Sequence, residues 1–78
     1  MIIVYSKNTC PYCDQAKALL KSKDIAFIEV NIETNAQAKE YLIERSLRSV
    51  PQIFQGELHI GGFEKLKAWV KTNNLGAL

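Results

Sequence analysis

The stretch Ile2-Ile3-Val4-Tyr5-Ser6-Lys7-Asn8-Thr9-Cys10-Pro11-Tyr12-Cys13-Asp14-Gln15-Ala16-Lys17-Ala18-Leu19-Leu20 decides how the chain folds. Ile2 to Tyr5 is a β-branched and aromatic run, which reads as a short buried strand. Ser6 to Thr9 is a polar loop. Pro11 then occupies the place where a helix begins, because its missing N–H would have had no partner there. From Pro11 to about Lys23 the apolar positions Cys13, Ala16, Leu19 and Leu20 recur at helical spacing, with Lys17, Lys21 and Lys23 outside that stripe. A Cys-x-x-Cys pair is thereby set at a strand-to-helix junction.

Working outward, Ile25 to Ile32 alternates loosely and is rich in β-branched residues, so it predicts a second strand. Thr34 or Asn35 can cap a second helix running to about Ser46, whose Ala38, Tyr41, Leu42 and Ile43 give it a core-facing side. Gln52 to Phe54 and Leu58 to Ile60 bracket Gly56 as a hairpin of two short strands. After Gly61-Gly62 a third helix carries Phe63, Leu66, Trp69 and Val70, and Asn73, Asn74 and Gly76 end it. The order is strand, helix, strand, helix, hairpin, helix: an α/β chain with a parallel first crossover and a mixed four-stranded sheet flanked by three helices.

With 78 residues the chain is of single-domain size, near the lower limit for a core that holds without staples. An apolar fraction of 47% argues against disorder. The net charge of +2 is dispersed, which argues against nucleic-acid binding and mildly favours a small anionic ligand. No apolar run approaches a membrane-spanning length, and the apolar start, lacking a basic flank, reads as a strand rather than a signal peptide. A cytoplasmic location is the expectation.

Cys10 and Cys13 are the two cysteines of the chain. A bridge between them closes so small a loop that it constrains the unfolded chain little. The pair is therefore better placed for chemistry than for stability. At a helix start the first sulfur lies beside unpaired N–H groups and the positive end of the helix dipole, which stabilise a thiolate. Lys7 adds a nearby positive charge. An accessible Cys10 is expected to attack, and a less exposed Cys13 to resolve. Lowering a thiol pKa from about 8.5 by about 3 units raises the thiolate fraction roughly 30-fold, but nucleophilicity falls by nearly as much. The larger gain is in Cys10 as a leaving group. A zinc site would need four ligands, and His59 is the one other soft donor. His59 itself, on a short outer strand, reads as an ordinary exposed residue.

Three motifs, Cys10-Pro11-Tyr12-Cys13, Ser49-Val50-Pro51 and Gly61-Gly62-Phe63-Glu64, in this order and spacing, resemble the glutaredoxins, the dithiol branch of the thioredoxin fold. The resemblance runs over nearly the whole length, so residues 1–78 read as one such domain. It implies a glutathione-dependent thiol–disulfide oxidoreductase, with a cis peptide before Pro51 and Val50 offering its backbone to a peptide-like ligand. It implies that the amides of Phe63 and Glu64, after Gly62, receive the γ-glutamyl carboxylate, with the Glu64 side chain pairing the ammonium. Lys7 and Lys39 match positions that contact the other carboxylate, and Tyr12 flanks the bound sulfur. Ser49 stands where threonine is usual, and Glu64-Lys65 replaces a commoner acidic pair. The implied partners are glutathione and disulfide-containing or glutathionylated proteins, ribonucleotide reductase among the candidates. The chain is implied to act as a monomer with no bound cofactor. Rival readings are a thioredoxin-like reductant recharged by thioredoxin reductase, and a module holding an iron–sulfur cluster between two copies, against which Pro11 argues by stiffening the turn.

Overall fold

The computed structural model describes residues 1–73. Its elements are β1 (Ile2–Ser6), α1 (Pro11–Ser22), β2 (Phe27–Asn31), α2 (Ala36–Glu44), β3 (Gln52–Gln55), β4 (Leu58–Gly61) and α3 (Phe63–Asn73). They form one sheet in the order β2-β1-β3-β4. β1 pairs in parallel with β2 and antiparallel with β3, and β3 and β4 form an antiparallel hairpin. The α/β architecture expected from the sequence is the one observed.

Side-chain alternation along the central strands divides the interior. Ile2 and Val4 of β1 and Ile53 of β3 meet Ala16 and Leu20 of α1 and Leu66 and Val70 of α3 in the main core. Tyr5 and Phe54 turn to the other face, where Tyr41 of α2 stacks on Tyr5 at 5.6 Å and meets Phe54 edge-on at 5.6 Å. Arg45 lies 3.5 Å over the Tyr41 ring. Burial, and then the neighbouring Tyr41, hold the Tyr5 phenol above its ordinary value. The two inner strands thus bind three helices from both sides. That arrangement lets so short a chain exclude water from its middle.

The departures from expectation lie at element ends. The second strand starts at Phe27 rather than Ile25, because the Ile25 N–H donates to the Leu20 carbonyl and closes α1. Asp24 supplies the positive φ of 55° that this closure needs, and its own N–H donates to Lys21. The second helix ends at Glu44 by the same device. Ser46 sits at φ 60°, its N–H donates to Ile43, and the Leu47 N–H donates to Leu42. Asn35, not Thr34, is the N-cap, its side chain accepting the Ala38 N–H at 3.0 Å. Ile43 is 51% exposed and does not join the core-facing side, which α2 builds from Ala38, Tyr41 and Leu42. Each strand of the hairpin is one residue longer than expected, and β4 carries one extra residue between the Phe54–His59 and Ile53–Gly61 pairs. Asn74 and Gly76, expected to end α3, lie outside the described residues.

A serine in the left-handed region carries a steric cost that glycine avoids. Ser46→Gly should therefore stabilise the fold by about 0.5–1 kcal/mol, measured as a higher urea midpoint at unchanged slope.

Candidate active site

Cys10 is the N-cap of α1. Its extended backbone, φ −130° and ψ 98°, swings the side chain across the helix end, and Sγ accepts the Cys13 N–H at 3.1 Å. Its own carbonyl accepts the Asp14 N–H at 3.1 Å. The turn into this geometry is made by Thr9 at φ 53°. Cys10 and Cys13 are joined as a disulfide with their Cα atoms 5.2 Å apart. Cys10 is 8% exposed and Cys13 1%. The order of exposure agrees with the roles expected of them, but Cys10 is far less open than the accessible sulfur anticipated. The bridge to Cys13 turns its sulfur along the helix end, and the Val50 carbonyl oxygen lies 3.9 Å from it.

Val50 belongs to the turn before β3, and the Val50–Pro51 bond is cis. Two adjoining cavities share the Ser49–Val50 segment of this turn. One, of about 240 Å³, is lined by Tyr12, Ser49, Val50, Pro51, Gly62, Phe63 and Glu64. The other, of about 280 Å³, has an apolar floor of Ile32, Leu42, Ile43 and Leu47, with Lys7, Lys39 and Arg48 around it. The sequence-predicted site residues are therefore all brought together around one turn. Arg48 was not foreseen, although a cation directly before Ser49-Val50-Pro51 could have been singled out. Tyr12 is 58% exposed and leans on Phe63, ring centroids 5.9 Å apart. Glu64 is not free to meet a ligand's ammonium alone, because Lys67, one helical turn on, holds it at 3.1 Å. Lys65 turns the other way, its stem lying where a side chain at Gly61 would need to sit.

The loop carrying Lys7 is fastened to the end of β2 and the turn after it. Asn8 donates to Glu33 at 2.9 Å and accepts from Asn31 at 2.8 Å. Beneath it, the buried Ser6 hydroxyl donates to Glu29 at 2.7 Å, and Lys17 of α1 donates to the same carboxylate oxygen at 2.8 Å. The Lys17 bond, and then the Ser6 bond, hold the Glu29 carboxyl below its ordinary value. Glu29 in turn raises Lys17. Among the described residues, no group of three His, Cys, Asp or Glu side chains is placed to hold a metal ion, and no helix is long and apolar enough to cross a membrane.

Comparison with known proteins bears on this arrangement directly. The sequence profile of the Glutaredoxin family matches residues 2–60. The chain belongs to the glutaredoxin family. It is 53% identical over 66 residues to glutaredoxin 3 of Escherichia coli K12, covering 83% of this chain and 80% of that protein. Glutaredoxin 1 of Francisella tularensis, whose crystal structure is complexed with cacodylate, superposes with a TM-score of 0.79 at 36% identity, over 94% of each chain. A buckwheat glutaredoxin solved with glutathione shares the fold with a TM-score of 0.79 at 24% identity, over 95% of this chain and 71% of that one. The dithiol pair at the start of α1 is thus the redox centre of a glutaredoxin-family thiol–disulfide oxidoreductase.

The Lys17–Glu29 pair gives a test of what anchors β1 beneath the site. A carboxylate whose folded pKa is depressed stabilises the fold above its unfolded value, and that stability is lost as pH falls through the folded value. Glu29→Gln keeps an acceptor for Ser6 but removes the charge. Because Glu29 is partly solvated, the loss at pH 7 should be no more than about 1 kcal/mol. The gap from the parent, read by urea unfolding across pH, should close below the ordinary carboxylate range.

Proposed function

We propose that the chain reduces glutathione mixed disulfides and protein disulfides, with glutathione as the recycling co-substrate and no bound prosthetic group. The observation that carries this reading is the Cys10 sulfur, which receives the Cys13 N–H at 3.1 Å and lies beside the turn that both cavities share. In the reduced protein the same amide stabilises a thiolate. Val50 offers backbone groups to the peptide part of glutathione, as an added strand would use them. The amides of Phe63 and Glu64 open α3 and suit the γ-glutamyl carboxylate. Lys7, Lys39 and Arg48 suit the glycyl carboxylate across the second cavity, and Tyr12 covers the sulfur. The buckwheat relative with glutathione bound has the same fold.

Reduction of a mixed disulfide then runs in two exchanges. The Cys10 thiolate attacks the glutathione sulfur, a Cys10–glutathione bond forms, and the target's thiolate leaves and takes up a proton. A second glutathione thiolate attacks that bond, which releases oxidised glutathione and restores the Cys10 thiolate. With a protein disulfide, the Cys10 thiolate attacks one target sulfur and the target's other sulfur leaves as a thiolate; the Cys13 thiolate then attacks Cys10 Sγ and expels the first target sulfur. The Cys10–Cys13 bridge that results is reduced by two glutathiones. This work suits a monomer in a reducing compartment such as the cytoplasm, and ribonucleotide reductase is one class of recipient that needs it.

Cys13→Ser should keep most deglutathionylation of a glutathionylated peptide and lose reduction of protein disulfides, whereas Cys10→Ser should lose both. Equal loss of deglutathionylation in the two variants would reverse the role assignment. Alkylation of reduced Cys10 should titrate at least about one unit below the roughly 8.5 of a free thiol. Turnover driven as well by thioredoxin reductase as by glutathione would overturn the glutathione part of the reading.

A further inference from the structure

The one histidine of the chain lies outside both cavities, yet its ring is tied to the turn they share. The hairpin register, Gln55 with Leu58 and then Phe54 with His59, sets His59 opposite Phe54, with ring centroids 4.8 Å apart, on the face that Gln52 also occupies two residues earlier. His59 Nε2 lies 2.7 Å from Gln52 Oε1. The Gln52 amide nitrogen donates to the Ser49 carbonyl at 3.0 Å and lies 3.4 Å from the Ser49 hydroxyl. Gln52 is 7% exposed.

The direction of this chain of bonds is fixed by its far end. A carbonyl only accepts, so Gln52 must turn its NH₂ to Ser49 and its Oε1 to His59. His59 Nε2 therefore carries a hydrogen and donates it. Without that donor the buried Oε1 loses its partner, and the Ser49 contact alone, at the far end of the amide, is left to hold the Gln52 side chain in place. The peptide joining Ser49 to Val50 is trans and planar, so the Val50 N–H points opposite to the Ser49 carbonyl. Holding the carbonyl on Gln52 thus holds the Val50 N–H away from it.

We propose that His59 and Gln52 are positioning residues that aim the Ser49–Val50 peptide, and so set the affinity of the site for the peptide backbone of a glutathione disulfide. The proposal rests on the glutathione reading above. Neither side chain touches the reacting sulfurs.

The test uses pre-reduced protein oxidised in single turnovers by two disulfides. One is the mixed disulfide of glutathione and cysteine; the other is bis(2-hydroxyethyl) disulfide, which has no peptide. His59→Phe keeps a ring against Phe54 and removes the donor. It should raise the half-saturating concentration of the glutathione disulfide roughly 2–10-fold, the worth of one hydrogen bond, with the limiting rate unchanged. Its rate with the hydroxyethyl disulfide should equal that of the parent. Gln52→Leu should act in the same direction and serves if His59→Phe does not fold. His59→Gln, which retains a donor, should stay within about twofold of the parent. In the parent, the ring ¹⁵N signals of the one histidine should show the Nε2–H form at neutral pH. A Nδ1–H ring, a folded variant with an unchanged half-saturating concentration, or equal losses with both disulfides would overturn the positioning role. If the parent protein shows no preference for the glutathione disulfide over the hydroxyethyl one, the glutathione reading itself fails, and that is seen before any variant is compared.

Discussion

A sulfur atom standing where a serine or aspartate oxygen would ordinarily cap a helix is the contact on which the rest is arranged. The Cys13 N–H reaches Cys10 Sγ at 3.1 Å only because the Cys10 backbone is extended and Pro11 begins the helix immediately after it. Helix ends leave several amides without internal partners, and any group that satisfies one gains as it becomes more negative. Fold and reactivity are therefore not separate properties of this residue. The bond that starts α1 is the bond that favours an ionised sulfur.

Placing that helix end is the task of the sheet. β1 lies between β2 and β3, so the loop leaving β1 runs beside the turn that enters β3. The two segments never meet in sequence, yet the Val50 carbonyl is 3.9 Å from the Cys10 sulfur. Both sides are braced by polar contacts rather than by the apolar core. Asn8 is bonded to Asn31 and Glu33, and Ser49 is bonded to Gln52. Polar bracing is directional, so it fixes the angle of each segment as well as its place.

Much of this was legible in the order of residues. The apolar run at 2–5, the proline at 11 and the helical spacing of Ala16 and Leu20 identify β1 and α1 without any structure, and two glycines mark the entry to α3. Three motifs far apart in the chain named every residue that lines the smaller cavity, whereas the larger shares only Ser49 and Val50 with them. What escaped was decided by single bonds across the fold. Asp24 and Ser46 end their helices in left-handed conformations that neither residue type advertises. Ile43 has the right spacing for the core but opens onto the larger cavity instead. His59 is exposed on its outer strand, as its sequence reads, but only the fold shows its Nε2 lying 2.7 Å from Gln52 Oε1. Lys67 is three places from Glu64, a spacing visible in advance, but that the pair closes at 3.1 Å is a fact of rotamers.

The common wall between the two cavities has a consequence for how any bridging molecule is recognised. Ser49 and Val50 bound both spaces, so the two ends of such a guest would rest on one shared segment. A tilt that improves the fit of one end is transmitted at once to the other, and the halves are not independent handles. Selectivity here belongs to the guest as a whole, and a fragment carrying only one end would under-report it.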